Sequence, residues 1–477
     1  MRKLLSLFLV GLLILLVSCE NVEYPSDSSS EGESRDFLEQ LESQLPTIDP
    51  SVEQEERDFV IFTDNTGAFM QDETAAASKN LAISERNSFL EMKYGANIIV
   101  EENTLEEIEY ILTEALKKGT HPCDMICLSA EDTLALYKKG LLGNISALPN
   151  FNLENGFFDF DLAKNLATNN SLYMLADPCA YMYDSASVIY YNRNLVKAPE
   201  GGEDVETLAL QGKWTWGAFY EYCKASAPGS FSSSGSNLKT DTFGYAFIAE
   251  PTEFAEAMWV STNQQIVANT YKNPVEITLD REAVTPTADF LRSIYNVRGR
   301  YPLSGSDARE AFEEGRIAFY CDELGYLYSL RDGTSKGTEF GVLPMPKMNE
   351  EQAEYRCFLN NNAHIISVPK TLETADEKTK AYASAMISAT CAAGSVTIKD
   401  AYLNTMLGMF LTTNNETVLI KTIVESASFD FAATFGSAIS EIRTPTMKPV
   451  VNYIVDGLSL STPGRQDFRE YCDKNFQ

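Results

Sequence analysis

The sequence predicts an α/β protein of two domains, and three observations predict it. From Asp58 onward, strand and helix patterns alternate through three successive βα units, the mark of a parallel sheet with helices on both faces. At 477 residues the chain is too long for one ordinary core. A hydrophobic content of 44% with 22% charged residues is that of a soluble globular chain.

Taken in order, residues 1–19 come first (MRKLLSLFLVGLLILLVSC). A basic start at Arg2 and Lys3 is followed by an apolar core that ends in small residues, the pattern of a secretion signal too short for a membrane span. Leu16-Val17-Ser18-Cys19 matches the bacterial lipobox, so Cys19 is the expected lipidation site and first residue of the mature chain. Two or more acyl chains on one residue anchor a protein stably to a membrane. Residues 20–57 hold twelve acids against Arg35 and Arg57, which places −10 of the formal −30 charge in one Ser-rich stretch. This reads as a solvated tether with a short amphipathic piece at 37–45. So acidic a chain repels phosphate backbones, which excludes nucleic acid as a partner class.

The folded part opens with DFVIF (58–62), a buried strand followed by the loop DNTGAF. A helix over 75–94 stops at Gly95, and NIIVEE is the next strand. TLEEIEYILTEALKKG is a helix with Thr104 and Glu107 as a capping box and Gly119 at its end. CDMICLS is the third strand, and a helix from Glu131 to Lys139 follows. Ligands of such sheets bind beyond the carboxyl ends of the strands. That rule singles out Asp64, Asn65 and Thr66, then Ser129, Glu131 and Asp132, although capping and turn chemistry accounts for the same six. SLYMLA (171–176) reads as a further strand. Residues 212–315 read as mainly helical, with short strands at FGYAFI and VEITL and a surface loop at 229–237.

The stretch 187–224 is the most specific. Ser187 to Tyr191 is a β-branched and aromatic strand, stopped by Asn192-Arg193-Asn194. Pro199, Gly201 and Gly202 break the chain. Thr215 then caps a helix with Trp216, Phe219, Tyr220 and Cys223 on its apolar side. This IYYN-R-N-L strand with the following G-K-W-T-W-x-x-F resembles the extracellular solute-binding lipoproteins of sugar ABC transporters (family 1). Gly217 and Ala218 stand where that family has an acidic pair, so no capping box forms here. AREAFEEGRIAFYCDELGYLYSL and TEFGVLPMPK resemble two later segments of the same family, and the resemblance covers residues 58–477.

The resemblance implies a two-lobed periplasmic-binding-protein-like fold of type II. Each lobe is a mainly parallel sheet flanked by helices, with a hinge between the lobes. The first lobe is expected at 58–186 and 316–394, the second at 187–315 and 395–477. NNNAHIISVPK is the last strand of the first lobe, Asp376 to Cys391 a helix leading out of it, and DAYLNTMLGMFL and a helix at 415–425 belong to the second. The implied protein is a monomer on the extracytoplasmic face, at the cell surface or in the periplasm. It closes on a carbohydrate, in particular an oligosaccharide, and delivers it to an ABC permease. Implied first-lobe contacts are Asp64, Asn65, Glu131, Asp132, Glu323, Tyr326 and Asn362; second-lobe contacts are Phe254, Trp259 and Arg443, with Trp259 the aromatic platform.

No catalytic constellation stands out. The histidines are His121 and His364, and His121-Pro122-Cys123 reads as a helix-to-strand turn rather than a metal site. Neither phosphate-binding glycine loops nor a G-x-S-x-G elbow occurs, so no cofactor and no metal is expected. Eight cysteines besides Cys19 permit disulfides of unreadable connectivity. Cys123 and Cys127 are about 13 Å apart if on one strand, too far to bond, and buried free thiols are the default. The positive feature is 23 Tyr, 26 Phe and 3 Trp, since sugar C–H faces stack on aromatic rings, although most such rings must be core. The rival classes are a surface lipoprotein glycan hydrolase and an adhesin.

Overall fold

The computed structural model describes residues 45, 57–72, 77–155, 158–168, 171–175, 182–228, 237–247, 251–265, 281–330, 339–409, 413–434 and 448–455. The lipobox with Cys19, nearly all of the acidic tether, Cys179, Cys472, the strand expected at VEITL and Arg443 lie outside those residues.

The chain enters at β1 (Arg57–Thr63), passes α1 (Ala77–Tyr94) to β2 (Ala96–Glu102), then α2 (Leu105–Lys118) to β3 (Met125–Ser129) and α3 (Ala130–Lys138). β1 lies between β2 and β3 and is parallel to both. The helix ends follow local chemistry. Thr104 N and Glu107 N each bond the other's side chain, at 2.8 and 3.4 Å, the reciprocal box the sequence shows. Gly119 closes α2 in the left-handed region (φ 66°), where a Cβ would be strained.

A second sheet begins at β4 (Ser187–Asn192), all six residues of which are buried. There follow α4 (Val205–Leu210), α5 (Trp216–Ser226), β5 (Phe243–Phe247), α6 (Pro251–Ser261), α7 (Arg281–Tyr295), α8 (Ser306–Glu313), β6 (Ile317–Glu323) and β7 (Phe340–Pro344). The strand order is β5-β6-β4-β7. β4 runs against both β6 and β7, and β5 runs with β6. Thr215 caps α5 through Ala218 N at 3.2 Å, and with alanine at that third position no reciprocal bond forms. Gly244 is required where α5 meets β5, since a Cβ there would lie 2.3 Å from the Cys223 carbonyl oxygen.

The chain then forms β8 (Cys357–Phe358) and returns to the first sheet as β9 (His364–Ser367), antiparallel to β3, giving the order β9-β3-β1-β2. α9 (Glu377–Met409), α10 (Asn414–Glu425), β10 (Ala427–Ser428) and α11 (Lys448–Val455) complete it, with β8 paired to β10. In each of the two four-stranded sheets three strands run one way and the fourth runs against them.

Three expectations are corrected. Residues 317–344 were expected with the first sheet, but β6 and β7 both hydrogen-bond to β4 in the second. Among the described residues of SLYMLA, 171–175, only Ser171–Leu172 forms a strand, although Leu175 still bridges to Ile366. The helix expected to end at Cys391 runs on to Met409, so α9 is unbroken for 33 residues. α9 is long and apolar enough to cross a membrane by length and composition, yet 89% of its apolar window is buried inside the protein, as in a core helix. The cysteines at 123, 127, 223, 321, 357 and 391 are all buried, and those at 123, 223, 321 and 357 are free thiols.

Candidate functional site

The carboxyl edges of the two sheets carry the polar groups that could meet a ligand. At the first sheet, Asp64 follows β1 and lies 2.9 Å from His364 Nε2, at the start of β9. Asn65 is exposed beside it, its N–H bonded to Thr63 Oγ1 at 3.1 Å. Glu131 and Asp132 open α3. Ser129 caps that helix through Asp132 N at 3.1 Å, and Glu131 N donates to the Asn361 carbonyl at 3.0 Å.

At the second sheet, β5 ends in Phe247 and β6 ends in Cys321, Asp322 and Glu323. A cavity of about 160 Å³ lies beyond them, lined by these four residues with Ser187, Glu253, Phe254, Ala257, Arg309 and Asn360. Phe247 and Phe254 stack with centroids 5.0 Å apart and planes within 9°, which forms an aromatic wall. Arg309 Nη2 lies 3.2 Å from the buried Asp322 Oδ2, and its guanidinium covers the Tyr326 ring at 4.4 Å. Tyr326 donates to Glu313 Oε1 at 2.7 Å. Glu323 accepts from Asn360 Nδ2 at 2.5 Å and from Asn362 Nδ2 at 3.2 Å.

The loop 360–364 therefore joins four of the sequence-nominated residues: Asn362 itself, Glu323 through two amides, Glu131 through a carbonyl, and Asp64 through His364. Phe254 lines the same cavity as Glu323. Two nominations change place. Glu323 and Tyr326 belong to the second sheet's edge, not the first, because β6 pairs with β4. Trp259 is fully buried and lines no part of the cavity; Phe254, five residues earlier on α6, lines it although only 2% exposed. Tyr326 is also buried, and it supports Arg309 from behind.

Sequence reasoning missed Asp322, Phe247, Arg309, Glu253, Ser187 and Asn360. The strand-end rule that nominated Asp64 and Glu131 applies equally to Asp322 and Phe247. Arg309 had no local signal, since only the packing of α8 on β6 brings it to Asp322.

Several carboxyl groups near this edge sit in a poorly solvated setting. Burial pushes Asp322 up to about 6 against the pull of Arg309. It also raises Asp184 to about 6, despite hydrogen bonds from Tyr402 and Tyr328. Asp430 is raised to about 6 by burial, and Glu256 to about 7 by burial together with Glu253 and Asp430. Each group is protonated more readily folded than unfolded, so folding takes up protons between about pH 4 and 7 and stability falls as pH rises through that window. The thermal midpoint at pH 5.5 is therefore expected above that at pH 7.5, by about 2–4 °C. A calorimetric scan showing a lower midpoint at pH 5.5 would contradict this.

No family model and no curated protein matches the sequence. Solved structures do match. A cyclo/maltodextrin-binding protein complexed with maltotetraose superposes with a TM-score of 0.51 at 14% identity, over 88% of this chain and 97% of that one. The maltose-binding periplasmic protein of Listeria monocytogenes, in complex with maltose, gives the same TM-score, identity and coverage. The likeness shows the fold, which is the two-lobed type II arrangement of maltose-binding proteins.

Proposed function

We propose that this protein is an extracytoplasmic solute-binding protein of the sugar-binding family. It captures a carbohydrate in the cleft between its two sheets and delivers it to an ABC permease. The observation that carries the reading is the cavity at the carboxyl edge of the second sheet. It combines a stacked aromatic wall with carboxylate and amide groups, on the fold of proteins crystallised with maltotetraose and maltose. An aromatic wall suits the C–H face of a sugar ring, and Glu323, Asn360 and Asn362 suit its hydroxyls. The cavity is smaller than the about 300–1,000 Å³ of drug-sized ligand sites, which fits one end of an oligosaccharide with the remainder along the rim of Asp64 and Glu131. We take Asp64, Glu131, Glu323, Phe254 and Asn362 as the contacts. The lobes are taken as the two sheets with their helices, 187–344 forming the body of the second. Closure about a hinge brings both rims onto the ligand, and its higher affinity for the closed form shifts the population. Lipid on Cys19 would hold the protein at the membrane through the acidic tether.

Thermal unfolding screened against mono- and oligosaccharides, amino acids and peptides tests the reading. A ligand at a hundred times its Kd adds about 2.7 kcal/mol, a shift of several degrees. A shift confined to saccharides is expected. A cooperative transition that no saccharide moves would overturn the assignment, and turnover of a glycan would replace it with the hydrolase reading.

A further inference from the structure

We propose that Glu323 is a positioning residue that ties the ligand-facing rim of the first sheet to the second sheet, so that a ligand bonding to Glu323 also acts on the register of the two lobes. The inference rests on the binding reading above for its ligand, but its structural part stands alone.

Glu323 is the last residue of β6, paired in register with Ser187 at the start of β4, so its backbone belongs firmly to the second sheet. The Tyr190 hydroxyl fixes that backbone further by donating to the Glu323 and Leu324 carbonyls, at 3.1 and 2.9 Å. Its side chain bonds elsewhere. Both Asn360 and Asn362 donate to the same oxygen, Oε1. Asn360 is itself set for this, because its Oδ1 accepts from Asn362 N at 2.9 Å and so folds the loop back on itself. The rest of the loop rides on the first sheet: Glu131 N donates to the Asn361 carbonyl, Ala130 N donates to the Ala363 carbonyl at 2.8 Å, and His364 meets Asp64. That carboxylate oxygen thus joins the backbone bond from Asn360 N to the Ser185 carbonyl (3.4 Å) and the Ala186–Leu359 bridge in holding a loop on which the ends of β1, β3 and β9 converge.

A bland account, a solvated glutamate at a strand end, does not fit. Glu323 stands next to the buried Asp322 and within electrostatic reach of Asp184, whose carboxyl it helps to push up. A third carboxylate there is unfavourable unless its charge is used, and two amide donors on one oxygen use it. Among the described residues Oε2 takes no hydrogen bond, on a side chain that lines the cavity. A ligand hydroxyl donating to Oε2 would share the carboxylate with the loop, so capture and lobe register are read by the same group.

Hydrogen exchange on the full chain in detergent, without ligand, tests this with Glu323→Ala and Glu323→Gln. A glutamine carbonyl still accepts both amides, whereas alanine accepts none. Glu323→Ala is expected to raise exchange at the Ala130 and Glu131 amides at least tenfold, leaving the β1–β2 ladder protected as in the unaltered chain. Glu323→Gln is expected to keep most of the protection while weakening binding of a saccharide found in the thermal screen. Unchanged exchange in Glu323→Ala would overturn the proposal, as would equal loosening by both variants. If no saccharide binds the unaltered chain but the exchange pattern holds, the binding reading fails and the positioning role stands.

Discussion

Replacing Arg193 by alanine is expected to lower stability by about 3–5 kcal/mol, among the largest effects of any single substitution in this chain. Arg193 follows β4, where its Nη1 lies 2.6 Å from Glu206 Oε1 and its Nη2 bonds Glu416. The two carboxylates are 8% and 2% exposed, so neither can turn to water if the guanidinium is removed. Tyr191 donates to Glu206 as well, and the guanidinium lies 5.1 Å from the centre of the Tyr191 ring. The arrangement joins β4, α4 and the first turn of α10, three elements far apart in sequence. Breaking a buried pair from one side leaves uncompensated charge, whereas replacing all partners by apolar groups need not destabilise. Urea unfolding should show the loss. The loss should shrink when Glu206 and Glu416 are first changed to glutamine, the coupling expected of residues in one network. A loss below about 1 kcal/mol for Arg193→Ala would mean that the group behaves as an exposed surface pair.

Trp216→Ala is expected to cost about 3–5 kcal/mol by a different mechanism, the loss of a large buried side chain and the cavity left behind. Trp216 is fully buried at the first turn of α5 and meets Phe219 and Phe254 edge-on, at 5.4 and 6.5 Å between centroids. Its indole N–H donates to Ser261 Oγ at 2.9 Å, which locks the end of α6 against the start of α5. Trp216→Phe keeps most of the apolar contact and loses that bond, so about 1–3 kcal/mol is expected. Because Phe254 packs on both Trp216 and Phe247, loosening this corner should also weaken ligand binding. Chemical denaturation of the two variants orders them; equal losses would indicate that the hydrogen bond, not the packing, dominates.

Local chemistry was legible in the sequence. The Thr104 box, the Thr215 cap, the Gly119 stop and the buried strand SVIYYN all lie where residue types dictate them, because caps and turns depend on neighbours a few positions away. Sheet membership was not legible. A strand pattern such as IAFYCDE shows burial but not its partner, and only the pairing of β6 and β7 with β4 assigns residues 317–344 to the second sheet. α9 was cut short for a related reason. The expected end at Cys391 is passed, and burial along the helix overrides the low helix preference of Gly394 just beyond it. At the site, the strand-end rule nominated Asp64 and Glu131, and the resemblance nominated Glu323, Phe254 and Trp259. Periodicity could not separate Phe254 from Trp259, since α6 is apolar around much of its circumference and the pattern does not distinguish the side facing the cavity.

Closure of the two lobes on a saccharide is measurable by small-angle X-ray scattering of the chain, with and without the saccharide that raises its thermal midpoint. A smaller radius of gyration is expected at saturation, with a concentration dependence that matches the binding curve. Saccharide binding with an unchanged radius of gyration would contradict it.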